Sequence, residues 1–211
     1  MNSETLLNNL TGRYPTLTYC KKEIADTCNV LIESYKNGGK LLICGNGGSS
    51  ADADHIVGEL MKSFSKKRPI NYDFAEKLNQ ISNEDGLFLS NKLEEGLPAI
   101  SLNAHSSLVS AVSNDVGGDY IFAQQIIGYA NKNDVLLCIT TSGNSKNIIN
   151  AAITAKAKDI KIIGLTGKTG GNLKQYCDIT ICVPSTNTPE IQELHLPIYH
   201  EICQVLEHHF F

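Results

Sequence analysis

Five short apolar runs, each bounded by polar or glycine residues, constrain the fold of this chain most strongly. They lack the apolar-polar alternation of half-exposed strands and are typical of strands buried on both faces. Helical stretches lie between most of them, which predicts an α/β fold: a parallel sheet with right-handed crossovers and helices on both faces. The apolar runs cover residues 41–44, 97–102, 135–139, 162–165 and 179–183, and the helical stretches cover 49–62, 105–113, 120–130, 146–159 and 171–176.

Both ends of the chain are predicted to be helical. In the first segment, 1–38, apolar residues recur at three- and four-residue steps and so share one helix face. The sequence Asn37-Gly38-Gly39 ends that helix, since these residues readily adopt the left-handed conformation. The last helix is predicted from Pro189 to Phe211, with Thr188 as its cap. The residues of the first helix face are Leu17, Cys20, Ile24, Cys28 and Leu31.

One segment, residues 64–96, interrupts the alternation of strands and helices. It is too long for a plain loop, and Phe74, Leu78 and Ile81 in it have helical spacing. We therefore predict an inserted helical excursion, and the sequence leaves open whether it is a lid, an oligomer contact or a surface elaboration. A length of 211 residues otherwise fits a single domain, 1–211.

Composition and charge argue against several classes of function. The net charge of −4 argues against general nucleic-acid binding, and the cluster Lys66, Lys67 and Arg68 is short enough to be a solvated surface patch. No apolar run approaches the ~20 residues of a membrane helix, and residues 1–4 lack the pattern of a signal sequence. We therefore expect a cytoplasmic protein without a membrane partner. The cysteines lack CxxC spacing, which favours reduced core residues over disulfides or a thiolate metal site.

Two loops rich in glycine and hydroxyl groups follow the runs 41–44 and 135–139. Glycines let the backbone approach an anion, hydroxyls donate hydrogen bonds to it, and the next helix offers unpaired N–H groups. In a parallel sheet both loops lie at the carboxyl edge, where ligands gather. The sequence therefore predicts a site for a phosphate monoester held by neutral donors. The loops are Gly45-Asn46-Gly47-Gly48-Ser49-Ser50 and Thr140-Thr141-Ser142-Gly143-Asn144-Ser145.

Other interpretations of these loops are weaker. Either loop alone is an ordinary glycine turn with a serine cap about as often as it is a ligand site. A dinucleotide fingerprint fails because its third glycine falls on Ser50, and no Gly-Lys-Ser/Thr follows to form a P-loop.

Candidates for proton chemistry lie on two predicted helices. His55 and Glu59 are four residues apart and share a face, so they can bind a metal or act as an acid/base pair, although a surface ion pair has the same spacing. Gln192 and His200 on the last helix are eight residues apart, which is ~12 Å along a regular helix. One small site therefore takes both only if Pro197 kinks the helix or if different protomers contribute them.

Taken together, these motifs are similar to those of the bacterial sedoheptulose 7-phosphate isomerases of the sugar isomerase (SIS) domain superfamily. The resemblance covers nearly the whole chain outside 64–96. The motifs that carry it are Gly45-Asn46-Gly47-Gly48-Ser49 with Asp52, His55 and Glu59, Asn114-Asp115, Thr141-Ser142-Gly143-Asn144-Ser145, Leu165-Thr166-Gly167-Lys168, and Ile191-Gln192-Glu193 with His195 and His200.

The resemblance implies a three-layer αβα sandwich with a five-stranded parallel sheet, assembled as a homotetramer with sites at subunit interfaces. Its substrate is a small sugar phosphate, and members bind one zinc ion per site. The implied substrate-binding residues are Asn46, Gly47, Gly48, Glu59, Asn114, Asp115, Thr140, Thr141, Ser142, Ser145 and Gln192. The implied zinc ligands are His55, Glu59, Gln192 and His200, and the implied catalytic pair is Glu59 and His200.

The reaction that the resemblance implies is an aldose–ketose isomerisation through an enediol. It would convert sedoheptulose 7-phosphate to D-glycero-D-manno-heptose 7-phosphate for bacterial lipopolysaccharide or capsule. Glu59 would move the proton between carbons, and His200 would shuttle a proton at oxygen.

Two alternatives stay open. A non-catalytic SIS protein, such as a sugar-phosphate-binding or replication-regulating member, resembles this chain in its loops but tends to lack counterparts of Glu59 and His200. An isomerase of pentose or hexose phosphates would keep the loops and reject the longer ketose. Pro189 stands where shorter members tend to place an acidic residue, and His195 is either a ligand or a local structural partner.

Overall fold

The computed structural model describes residues 3–211, so Met1 and Asn2 of the predicted first segment lie outside the described residues. One parallel sheet of five strands has the order β2-β1-β3-β4-β5. The predicted fold class is confirmed. The strands are β1 Leu41–Gly45, β2 Ala99–Ser101, β3 Val135–Thr140, β4 Lys161–Thr166 and β5 Ile179–Cys182.

Helices cover both faces of this sheet. Short 3₁₀ turns at Pro15–Cys20, Gly118–Tyr120 and Gly171–Tyr176 connect some of them. Along residues 3–211, no helix is both long and apolar enough to cross a bilayer. The α-helices are α1 Ser3–Arg13, α2 Lys21–Lys36, α3 Gly48–Met61, α4 Tyr72–Ile81, α5 Asn83–Lys92, α6 Ser106–Asp115, α7 Ile121–Tyr129, α8 Lys146–Ala157 and α9 Thr188–Phe210.

The core has two apolar layers, one on each side of the sheet. Successive residues of β1 alternate between them: Leu41 and Ile43 face α1, α2, α3 and α9, whereas Leu42 and Cys44 face α7 and α8. Because both faces of the strand are covered, all five residues of β1 are buried. This explains why the strand reads as a continuous apolar run. All seven cysteines are free thiols, as predicted.

Several details at the chain ends differ from the sequence prediction. Leu17 and Cys20 lie in the 3₁₀ turn before α2 and are not part of that helix, although both are buried. Gly38 has a φ of 75° and follows α2, as predicted. Thr188 is the first residue of α9, and its predicted role as cap is wrong; Asn187 precedes the helix. Helix boundaries commonly shift by one residue in this way.

The segment 64–96 contains the two helices α4 and α5, which confirms the helical excursion. They pack on each other so closely that a side chain at Gly86 would collide with the backbone of Leu78. The segment leaves and rejoins the core at an antiparallel bridge between Pro69 and Glu94.

The expectation of a solvated basic patch at 66–68 is wrong for Arg68. This residue is only 1% exposed, and its guanidinium pairs with the buried carboxylate of Glu207. Lys67 alone of the three has an exposed side chain in contact with a carboxylate, that of Glu94.

Candidate active site

The two glycine- and hydroxyl-rich loops lie side by side at the carboxyl edge of the sheet. Their strands β1 and β3 pair in register from Leu41 opposite Val135 to Gly45 opposite Ile139, so both strands end together. The loops are joined by the amides of Asn46 and Asn147, which donate to each other at 2.9 Å in both directions. Asn147 was not identified from the sequence.

In the first loop, one close packing contact, one positive φ and the hydrogen bonds of one amide fix the backbone that leads into α3. A Cβ at Gly45 would collide with the backbone of Ser49, and Gly47 has a φ of 55°. The amide of Asn103 bonds to both the N–H and the carbonyl of Gly45, at 3.3 and 2.8 Å. The predicted substrate contacts Asn46, Gly47 and Gly48 are exposed, so a ligand can reach them.

The second loop has a similar glycine turn, and its hydroxyl groups differ in exposure. Gly143 has a φ of 67° and packs so tightly on Gly170 that a Cβ would not fit. The hydroxyl of Thr140 accepts the N–H of Gly143 at 3.3 Å and is buried, whereas Ser142 is exposed. Ser145 precedes α8, and its side chain makes no capping bond to that helix. One N–H of the first turn of α8, that of Ile148, is bonded to Asn147 Oδ1 at 2.9 Å, so the turn offers its preceding N–H groups and a positive dipole end to an anion.

Asn114 and Asp115 end helix α6, where both are exposed and bonded to each other at 2.8 Å. The 3₁₀ turn that follows is tied to α8, since Lys146 pairs with Asp119 at 2.9 Å. These two residues thus reach the neighbourhood of the second loop through one intervening turn. Within residues 3–211, neither residue forms a hydrogen bond or an ion pair with the loop itself.

Gln192 also belongs to the carboxyl edge. Its side chain lies against the first residue of α3, because a Cβ at Gly48 would be 2.5 Å from its Nε2. This contact places the predicted substrate-binding and metal-binding glutamine beside the loops.

A second group of polar residues lies further along α3 and α9. His55 Nε2 is 3.2 Å from Glu59 Oε1, as expected for residues one turn apart. The ring of His55 is 5.0 Å from the ring of His200, edge to face. His55 thus lies between Glu59, on its own helix, and His200 of α9.

Tyr199 links His55 to Asp52. Its hydroxyl donates to Asp52 Oδ1 at 3.1 Å and lies 3.0 Å from His55 Nδ1. A tyrosine hydroxyl has one proton, so once it donates to Asp52 the bond to His55 requires Nδ1–H as the donor. His55 Nε2 lies 3.2 Å from Glu59 Oε1, so the two atoms can share a proton or bind one metal ion together. Sequence reasoning missed Tyr199, which occupies an otherwise apolar helix face.

Burial changes the protonation of this group. Loss of solvent lowers the pKa of His200, and the neighbouring His55 lowers it further, so His200 is neutral at pH 7. Burial raises the pKa of Asp52 even though the hydroxyl of Tyr199 opposes the shift. Two buried atoms, Glu59 Oε2 and His200 Nε2, have no hydrogen-bond partner in the described chain. The nearest cation to that Glu59 oxygen is Lys62 Nζ, at 3.9 Å.

The predicted site residues thus form two regions. Glu59 follows Gly48 by eleven residues, which is ~16 Å along α3. At its far end, α3 meets the amino side of the sheet, where Leu97 before β2 donates its N–H to Leu60 at 2.9 Å. The carboxyl-edge region contains Asn46, Gly47, Gly48, Thr140, Thr141, Ser142, Ser145 and Gln192, and the α3–α9 region contains His55, Glu59 and His200.

Known proteins with similar sequences include phosphoheptose isomerases. SIS domain models match residues 16–95 and 100–200. A phosphoheptose isomerase of Helicobacter hepaticus is 40% identical over 192 residues, which cover 91% of this chain and 83% of that relative. The chain belongs to the phosphoheptose isomerase family. A second relative of the same name, from Nitratiruptor sp., is 41% identical over 86% of this chain and 83% of its own length.

Solved structures agree with this family. A phosphoheptose isomerase from Francisella tularensis has a TM-score of 0.76 at 32% identity and covers 98% of both chains. One from Neisseria gonorrhoeae has a TM-score of 0.72 at 27% identity and covers 97% of both chains. The match over nearly full length includes the helical insertion.

The predicted zinc ligands of this phosphoheptose isomerase family member fit a metal ion by their chemistry more than by their arrangement within one protomer. No group of three or more His, Cys, Asp or Glu side chains among residues 3–211 is arranged for a metal ion. The donors themselves suit zinc, because they are imidazoles and a carboxylate and because Glu59 Oε2 and His200 Nε2 are buried without hydrogen-bond partners. The fourth predicted ligand, Gln192, lies beside Gly48 in the other region.

His195 does not join either region. It is fully buried in α9, and burial lowers the pKa of its imidazole to about 4, so it stays neutral in the core at pH 7. A neutral core histidine fits the structural alternative considered from the sequence.

Proposed function

We propose that this protein is a cytoplasmic aldose–ketose isomerase that converts sedoheptulose 7-phosphate to D-glycero-D-manno-heptose 7-phosphate through an enediol. The product would enter bacterial lipopolysaccharide or capsule synthesis. Family membership supports the reaction, and one structural observation carries it: Glu59, His55 and His200 form a compact group with unpartnered carboxylate and imidazole atoms. Such a pair suits proton transfer to and from a sugar.

Binding would be the task of the carboxyl edge. The hydroxyls of Thr140, Thr141, Ser142 and Ser145, with the N–H groups at the start of α8, would hold the phosphate without a formal positive charge. Asn46, Gly47, Gly48, Asn114, Asp115 and Gln192 would contact the sugar chain. Neutral donors hold the phosphate firmly while leaving the reacting carbons to other groups.

Proton transfer would be the task of the α3–α9 region. Glu59 would remove the proton from the carbon beside the ketose carbonyl and deliver it to the former carbonyl carbon. His200 is neutral at pH 7 because burial lowers its pKa, so it can accept a proton from one sugar oxygen and donate it to the other. The bond between Nδ1 of His55 and the Tyr199 hydroxyl keeps Nε2 of His55 directed at Glu59.

Zinc is proposed as the cofactor, with His55, Glu59, Gln192 and His200 as its ligands. A bound zinc ion supplies a Lewis acid that stabilises negative charge on an enediolate oxygen. The His/Glu/Gln/His donor set suits this metal, and the unpartnered atoms Glu59 Oε2 and His200 Nε2 favour it.

The site is proposed to form between protomers of a homotetramer. The distance of ~16 Å along α3 between the two regions favours pairing the loops of one protomer with the α3–α9 group of another. Apolar side chains left exposed on the protomer also favour assembly, among them Tyr19 (86% exposed), Ile81 (84%) and Phe88 (65%).

The proposal can be tested by isomerisation in deuterated water. Purified protein is incubated with sedoheptulose 7-phosphate, with and without a chelator, and aldose formation and deuterium at the second carbon are followed by NMR. Turnover with deuterium incorporation supports the enediol route. Absence of turnover by metal-replete oligomer would instead favour a non-catalytic sugar-phosphate-binding protein, and turnover of pentose or hexose phosphates alone would favour the other isomerase.

A further inference from the structure

The largest buried polar side chain of the protein, Arg68, lies outside the proposed site. Arg68 Nε and Glu207 Oε1 are 2.7 Å apart, and both side chains are 0% exposed. Burying two charges is costly unless further hydrogen bonds satisfy them, so the remaining partners of the pair indicate what it holds in place.

Glu207 holds the chain segment that follows α3. Its carboxylate accepts the N–H groups of Phe64, Ser65 and Lys66 at 2.9, 2.8 and 3.0 Å, and also the hydroxyl of Ser65. Burial alone would raise the pKa of Glu207, but these bonds and Arg68 outweigh it and hold the pKa at about 2. The carboxylate is thus a fixed anion around which residues 64–66 are wrapped.

Arg68 holds the last turn of α3 itself. Its two terminal nitrogens donate to the carbonyls of Leu60 at 2.7 Å and of Glu59 at 3.0 Å. These carbonyls are among the last four of the helix and have no partner within it, so the guanidinium caps this end. One of these two carbonyls belongs to Glu59, the residue proposed as the catalytic carboxylate.

The same network reaches His200. Phe64, whose N–H is bound by Glu207, places its ring 5.3 Å from the imidazole of His200. His200 and Glu207 are both on α9, two turns apart. One buried ion pair therefore contacts the backbone of Glu59 on one side and orders the ring that packs on His200 on the other.

We propose that Arg68 and Glu207 are positioning residues for the isomerisation: they set the distance between Glu59 and His200 without touching the substrate. This inference rests on the proposed function, because the two positioned groups are its acid/base pair. Holding Glu207 and two carbonyls of α3 at once requires three hydrogen bonds in fixed directions, which the planar guanidinium fork of an arginine can donate.

Arg68→Lys is the decisive variant, since it keeps the charge but cannot form the fork. Misplacing a catalytic group by about 1 Å costs on the order of 100-fold in rate, so we expect kcat to fall by about that factor with KM changed less than about twofold. The phosphate loops are far from Arg68, which is why binding should be preserved. The measurement is steady-state kinetics at saturating metal, with thermal unfolding of the same preparation.

Asp134→Asn is the matched control. Asp134 is a buried carboxylate paired with Lys40 at 2.6 Å and bonded to the N–H groups of Lys40 and Asn131, at the amino ends of β1 and β3. We expect this variant to lose thermal stability without a change in kcat. Equal loss of kcat in both variants, or wild-type kcat in a folded Arg68→Lys, would overturn the proposal.

A second variant decides the matter if Arg68→Lys does not fold. Phe64→Leu leaves the ion pair intact but removes the ring against His200, and we expect kcat to fall by about tenfold at constant KM; an unchanged kcat would refute the positioning role. An inactive wild-type protein would instead refute the proposed function, so the two failures are distinguishable.

Discussion

The carboxyl-edge loops and the α3–α9 region use opposite chemistry. The loops offer backbone N–H groups, amides and hydroxyls, and their conformation depends on glycines such as Gly143 with positive φ. The α3–α9 region offers ionisable side chains whose positions depend on helix geometry and buried polar contacts. Neutral donors can bind an anion at any pH, whereas proton transfer needs groups that change charge. The difference suggests that binding and chemistry can be altered separately, and the following predictions test that separation.

The largest effect is expected for Glu59→Gln. General acid/base groups contribute up to about 10⁴-fold in rate, and we expect turnover to fall by at least about 1,000-fold. Binding of the sugar phosphate should persist, because the loops are unchanged, and calorimetric titration checks it. Asp54→Asn, an exposed carboxylate on the same helix, is the control and should keep full turnover. An active Glu59→Gln would remove Glu59 as the base.

Mixing two inactive variants sharpens the comparison further. Ser142→Glu places a negative charge in the phosphate loop and should abolish binding while leaving the α3–α9 region intact. If sites form between protomers, co-refolding it with Glu59→Gln should restore about a quarter of the turnover, since random pairing joins intact halves that often. Each variant refolded alone serves as the control. Recovery no greater than the sum of those controls would mean that each protomer holds its whole site.

A smaller effect is expected for Tyr199→Phe. Loss of the hydroxyl removes the bond that fixes the Nδ1–H tautomer of His55 and leaves Asp52 without its donor. We expect kcat to fall about tenfold, within the range for outer-shell partners, with KM unchanged. Tyr35→Phe is the control, because its hydroxyl bonds only to the carbonyl of Pro98 at 3.3 Å. A tenfold rise in KM instead would place Tyr199 in substrate binding.

The smallest effect concerns His195 and stability. Its pKa is about 4 in the folded protein and 6.5 when unfolded. The unfolded chain therefore binds the extra proton between these values, and stability falls as the pH drops from 6.5 to 4. We expect protonation of His195 in the unfolded chain to lower the free energy of unfolding by about 3 kcal/mol over that range. In urea titrations His195→Gln should lose this dependence, while His209→Gln, an exposed histidine, should retain it; identical pH curves for all three proteins would contradict the assignment.

Much of the fold could be predicted because it depends on patterns local in sequence. The strands appear as apolar runs since both sheet faces are covered. The exception is β2, which is shorter than its run 97–102. Pro98 has no N–H for the sheet, and the N–H of Leu97 bonds to Leu60 of α3 instead.

The site was predicted less completely because its geometry depends on distant partners. His55 and Glu59 could be paired from their spacing, as the helix fixes their separation. The separation of Gln192 from His200 could be estimated only along α9, and motif matching assigns residues to a site without giving distances. Arg68 was expected at the surface because its partner Glu207 lies 139 residues away and no local pattern links them.

The two ends of the helical insertion, at residues 68–69 and 94–95, lie side by side, which bears on how the insertion can vary in length. Where the excursion begins and ends, the backbone carbonyl of Arg68 accepts the N–H of Glu95 at 2.7 Å, and Pro69 forms a β-bridge with Glu94. The chain segments that enter and leave the insertion are thus already neighbours, so a short turn could replace the residues between them with little loop-closure cost. A change of length between Pro69 and Glu94 would therefore leave Arg68 and its bonds to α3 in place.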